Sequence, residues 1–145
     1  MAITETLEAY KTLIENLPSK PKVALFSGEM DGKELSSITL EGSQCYVLLA
    51  CGGGPLIPDA PKMVCDAVFG AFIVSKADQD TKGVSRKAMD FGVELSKALK
   101  AYRGNPRRNP NLPKIASFEE LFAGKPSNNN FSAWQLSWTH WVAFD

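Results

Sequence analysis

The sequence predicts an α+β domain: a two-layer sandwich in which a mostly antiparallel sheet of about four strands carries an N-terminal helix and one long helix on one face. Three observations lead there. Apolar residues recur at helical spacing near the start and again over residues 85–102. Short apolar runs of β-forming residues lie between those two segments. The stretch Phe131–Phe144 alternates with the period of a strand. The chain has 145 residues, the size of one domain, so 1–145 is read as a single unit.

Taken in order, Ile3, Leu7, Tyr10, Ile14 and Leu17 form an apolar stripe. Thr4 or Thr6 caps its start and Pro18 with Pro21 stops it, which predicts a helix over about residues 4–16. Residues 22–27 (KVALFS) form a short apolar run closed by Gly28 and read as a strand. Residues 29–43 are polar and fit either a loop with a short strand or a turn of helix around residues 35–40. Residues 44–51 (QCYVLLAC) are almost continuously apolar, which suits a strand buried on both faces at the centre of a sheet. Gly52, Gly53 and Gly54 end it, and Pro55, Pro58 and Pro61 keep the next stretch irregular.

Met63–Lys76 is a further strand, with Asp66 marking an exposed end and Gly70 a bulge or close approach. No helix separates it from the preceding strand, so the two are expected to pair antiparallel. Residues 77–83 form a polar turn. The long helix, residues 85–102, buries Val84, Ala88, Phe91, Leu95, Leu99 and Tyr102. Lys97, Lys100 and Arg103 suit its C-terminal dipole and Gly104 its C-cap. Residues 105–113 (NPRRNPNLP) read as an ordered loop or linker, 114–116 as a short strand, 118–122 as a helical turn or a hairpin arm, and 125–130 as a turn. In Phe131–Phe144, the apolar face carries Trp134, Leu136, Trp138, Val142 and Phe144 with His140. The opposite face carries Gln135, Ser137 and Thr139, and Trp141 stands out on it.

Composition narrows the function. Sixteen Lys and Arg balance sixteen Asp and Glu, which leaves no long-range field to gather phosphates. Specific nucleic-acid binding is therefore not expected. No stretch approaches the ~18 apolar residues of a membrane span, and the opening residues are not those of a secretory signal. Neither a membrane partner nor an oxidising compartment is expected. Cys45, Cys51 and Cys65 then read as reduced, small, buried hydrophobes.

Each candidate for chemistry has a plainer reading beside it. The Gly52–Gly54 run lacks the Lys-Ser/Thr and the following helix of a phosphate loop, and is better read as a turn. His140 is the sole histidine and faces no nucleophile motif, so it reads as a satisfied sheet histidine. The cysteine spacings contain no Cys-x-x-Cys, and no metal or other cofactor is expected. No catalytic residue is assigned and the chain is not read as an enzyme; a small enzyme using Cys51 beside the glycine turn is the rival from another class. A third reading stacks a small ligand on the tryptophans.

The pattern of elements resembles the tail terminator, or neck, proteins of Mu-like contractile-tailed bacteriophages. The resemblance rests on VFGAFIVSKA, the helix ending in ELSKALKAYRG, the Leu-Pro segment after it, FEELFAG, and the final W-x-L-x-W-T-x-W-V-x-F strand. The first helix, the first strand and CYVLLACGGG match the front of the family more loosely; residues 29–43 do not align with it. The resemblance implies a structural virion protein, assembled in the host cytoplasm. It would form a homohexameric ring that caps the tail tube and stops tail polymerisation. The ring would meet the tail tube protein, the tail sheath protein and a head-completion or connector protein. Another neck protein, a head-completion or tube-like subunit, is the alternative. The family offers no catalytic residues.

On this reading Phe131–Phe144 is partly core and partly subunit interface, with Phe131, Trp138 and Trp141 as interface candidates and an exposed edge able to extend a sheet between subunits. Gly53 in the Gly/Pro segment, with Arg103, Arg107 and Arg108 in the basic loop, are the candidates for partner docking.

Overall fold

The computed structural model describes residues 2–26, 45–76, 86–121 and 131–144. The elements expected at 29–43, 77–83 and 125–130, and the side chain of Phe131, lie outside the described residues. Within them the order is α1 (Ala2–Glu15), β1 (Lys22–Leu25), β2 (Tyr46–Gly53), β3 (Met63–Lys76), α2 (Arg86–Ala101), β4 (Lys114–Leu121) and β5 (Phe131–Phe144). The strands form one sheet in the order β1-β2-β3-β5-β4. The α+β class holds: every neighbouring pair is antiparallel except β1–β2, which is parallel. Among the described residues the sheet has five strands, against the about four expected.

The spine is the β3–β5 ladder, in which Met63 meets Phe144 and Lys76 meets Phe131 without a break in register. Strand alternation then sorts the side chains. Cys65, Ala67, Phe69, Ala71 and Ile73 of β3 join Leu136, Trp138 and Val142 of β5 on one face, together with Val47 and Leu49 of β2. Both helices pack on this face. α1 contributes Tyr10, Ile14 and Leu17; α2 contributes Ala88, Phe91, Leu95 and Leu99. Val47, Leu48 and Leu49 are all buried, so β2 is covered on both faces as its continuous apolar run predicts, although β3 occupies the centre of the sheet.

Four local expectations are corrected. β2 does not stop at the glycines but runs through Gly53, with the register shifted between Cys51 and Gly53. The extra residue there is Gly52, a bulge. Beyond it the chain stays beside β3: Asp66 N–H donates to Pro55 O and Ile57 N–H to Val64 O, both at 2.8 Å. Gly54 lies so close to β3 that a Cβ would collide with the Asp66 carbonyl oxygen. Gly70 makes neither a bulge nor a close approach; a Cβ there would meet only Gln135, 3.9 Å away.

β4 is one strand in place of a short strand and a helical turn, and its register against β5 shifts between Ile115 and Ser117. Ile115 pairs with Trp138 and Phe118 with Leu136, so the extra residue at 116 turns both apolar side chains toward the helices. Phe118 then packs on Trp134, with ring centroids 4.8 Å apart, and against Gly92 of α2, where a Cβ would overlap its ring. Finally, β5 is no edge. β3 covers one side along its whole length, and β4 with the 105–113 loop covers the other.

The Gly54 contact gives a direct test. Gly54→Ala must displace the backbone of 54–57 from β3 and should cost about 1–3 kcal/mol in urea unfolding. An unchanged midpoint would mean that this segment does not lie against Asp66.

Candidate functional site

A group of polar and aromatic side chains sits where α1, the end of β5 and the 105–113 loop converge. His140 is fully buried opposite Ala67. Its Nε2 lies 2.7 Å from the Asn111 carbonyl oxygen and its Nδ1 is hydrogen-bonded to the Tyr10 hydroxyl. A carbonyl only accepts, so Nε2 carries the proton. Nδ1 is then the acceptor, and Tyr10 donates to it. Burial lowers the His140 pKa below its ordinary value, partly offset by the bond to Asn111, and raises the Tyr10 phenol. Both groups are therefore neutral at pH 7.

Tyr10 also ties the aromatic core together. Its ring centroid lies 5.1 Å from Phe69, 5.2 Å from Tyr102 and 5.3 Å from Trp138. The Trp138 indole N–H is buried without a hydrogen-bond partner.

The loop beside this cluster is built into the sheet, which its Pro/Asn composition alone does not reveal. Asn105 Oδ1 accepts from Arg107 N–H at 3.0 Å, an Asx turn. Past the start of β4 the loop takes over the edge of β5. Ala143 N–H donates to Arg108 O at 2.7 Å, Trp141 N–H to Asn111 Oδ1 at 2.8 Å, and Asn109 Nδ2 to Trp141 O at 3.2 Å.

The residues expected to dock partners are thus separated by role. Arg108 is a scaffold residue, ion-paired to Glu5 of α1 at 3.1 Å. Arg103 donates to the Lys100 carbonyl at 3.2 Å at the helix end, followed by Gly104 with a left-handed φ of 63°. Arg107 is exposed. Gly53 lies in β2, with φ 74° at the bulge. The interface candidates divide as well. Trp138 is fully buried beneath α1, so it is core and presents no surface to a second subunit. Trp141 is half-buried on the opposite face of the sheet, across from Asp66. Sequence parity separates these two rings, but not their depth.

Burial disfavours the thiolate form of Cys51 and Cys65. Cys51 is half-buried and its pKa is raised by burial. Cys65 is raised by burial and then by its neighbours Cys51 and Asp66. Cys51 pairs opposite Phe69, four residues along β3 from Cys65. That offset is ~13 Å of strand, beyond the reach of a disulfide. Among the described residues no group of three His, Cys, Asp or Glu side chains could hold a metal ion.

No protein-family model matches the chain. It is 29% identical over 119 residues to a K(+)-insensitive pyrophosphate-energized proton pump of Caldanaerobacter subterraneus subsp. tengcongensis. The match takes in 79% of this chain but 16% of that protein. No described helix is long and apolar enough to cross a membrane.

Two measurements bear on the site. Tyr10→Phe leaves His140 Nδ1 buried without a donor and should cost about 1–3 kcal/mol in chemical unfolding. Alkylation of Cys51 by iodoacetamide at pH 7 should run slower than that of free cysteine and speed up on unfolding. Rapid labelling of the folded protein would restore the thiol-enzyme reading.

Proposed function

We propose that this chain is a structural virion protein: a tail terminator whose homohexameric ring caps the tail tube of a contractile-tailed phage, stops its polymerisation and offers the surface for head–neck joining. The sequence resemblance motivates this reading. The observation that carries it is the sheet face opposite the helices, where Val68 is 44% exposed and Phe72 and Trp141 are each half-buried along β3 and β5. A protomer that leaves apolar and aromatic side chains on the long strands of one sheet face has a surface suited to subunit contact. The outer edge of β4, which is an end strand of the sheet, supports the same reading, because a head-to-tail contact closes into a ring when its rotation permits. Arg103 and Arg107 are both exposed and suit an acidic partner surface such as the connector side of the neck. The raised thiol pKa values weigh against the rival enzyme, since the nucleophile it needs is a thiolate.

Purified protein added to polymerising tail tubes from the same source should arrest elongation and appear as six-fold rings at tube ends in negative stain. Tubes of unchanged length would overturn the terminator assignment. Trp141→Ser should weaken ring assembly by about 1–3 kcal/mol while lowering protomer stability by less. A protomer that unfolds instead would make Trp141 ordinary core.

A further inference from the structure

We infer that the connection from β1 to β2, residues 27–44, crosses the sheet face opposite the helices and docks on its β1–β2 half, over Leu48 and Phe72. The inference stands on strand directions and on burial among the described residues, and is independent of the tail-terminator reading.

β1 and β2 are adjacent and parallel. A hairpin cannot join such strands, so the chain must return over one face of the sheet. Strand directions fix which one. β3 and β4 both run antiparallel to β5, so they are parallel to each other, and α2 lies between them in the chain on the helix-bearing face. The steps from β1 to β2 and from β3 to β4 move the same way across the sheet. β2 is antiparallel to β3, so the two steps start from strands that point in opposite directions. With the same sideways step and opposite strand directions, two crossovers share one hand only if they pass over opposite faces. Crossovers between parallel strands are right-handed in roughly 98% of cases. With α2 on one face, the β1–β2 crossover belongs on the other.

The side chains agree with that route. Phe26 follows β1, donates its N–H to Leu49 O, and sets its ring edge-on against Phe72 with centroids 5.9 Å apart. Phe72 alternates with Ala71 and Ile73 of the core, so it belongs to the face away from the helices, and the chain leaves β1 on that side. Burial on this face is uneven. Along β3, Val68 is exposed, Phe72 half-buried and Val74 fully buried; Leu48 of β2, opposite Phe72, is buried too. Leu48 alternates with Val47 and Leu49 of the core and so points away from α1 and α2, which do not cover it. Residues 27–44 exceed the dozen or so that a crossover needs, and they carry Leu35, Ile38 and Leu40 as apolar side chains for Leu48 and Phe72. On the tail-terminator reading, a neighbouring subunit then meets the Val68 and Trp141 half of the face.

Methyl-labelled wild-type protein tests this by NMR. Nuclear Overhauser contacts should run from the methyl groups of Leu35, Ile38 or Leu40 to the Leu48 methyls and the Phe72 ring. In a mixture of labelled and unlabelled chains, a spectrum filtered for contacts between copies should lack them. Contacts to Val47, Leu49 or α2 in their place would put the crossover on the helix side. Contacts seen solely between copies would give that half of the face to a second subunit. Contacts to Leu48 and Phe72 from residues 77–85 or 122–130 alone, or from no other segment, would leave the β1–β2 connection off this face. Each of these three results would overturn the inference, whereas failure to arrest tail tubes would bear on the ring reading alone.

Discussion

The unbroken pairing of β3 with β5 is the constraint on which the rest of the structure depends. A slip of one residue in that ladder would send every side chain of one strand to the wrong face. In the observed register, small residues meet large ones across the strands: Ala67 lies opposite His140 and Ala71 opposite Leu136. Phe69 stacks on Trp138 with ring centroids 6.0 Å apart and planes inclined by 16°. The spaces beside Ala67 and Ala71 admit the helices, and Tyr10 reaches Phe69, Trp138 and His140 at once. The aromatic core therefore has one arrangement because one ladder has one register.

Two single-residue bulges fit the shorter strands to this spine. The one at Gly52 bends the end of β2 so that 54–57 can continue beside β3, and the one at Ala116 turns Phe118 toward α2. β5 outruns β4 by several residues, and the loop before β4 fills the gap. Asn109 and Asn111 pair there with backbone groups that a longer β4 would otherwise have satisfied. The same asparagines place a carbonyl against His140, so the sheet's mismatch in strand lengths creates the polar cluster under α1.

This division of labour bears on the proposed ring. The helix-bearing face is consumed by the protomer's own core, including Trp138. Among the described residues, the opposite face offers a neighbour Val68 and Trp141, and β4 is an end strand of the sheet. β4 is blunted by Lys114, Glu119, Glu120 and its bulge, features that discourage indiscriminate edge pairing and leave a charged pattern for a specific one.

The sequence by itself determined the helices, the apolar strands, the antiparallel β2–β3 pair and the two-faced character of Phe131–Phe144, because these are carried by local period and by caps and breakers. It also determined that Trp141 and Trp138 point to opposite faces. Only the tertiary structure decided the rest. An inserted residue at 116 reverses parity, so residues 114–121 do not read as one strand until their partner β5 is in place. Composition made 105–113 an ordered loop or linker but not its partners: Arg108 O, Asn109 Nδ2 and Asn111 Oδ1 pair with backbone groups of Trp141 and Ala143, some thirty residues away in sequence. His140 read correctly as a satisfied histidine, but its partners, Tyr10 and Asn111, lie 130 and 29 residues away. No local pattern encodes such pairings, because they follow from which surfaces remain unpaired once the sheet has formed.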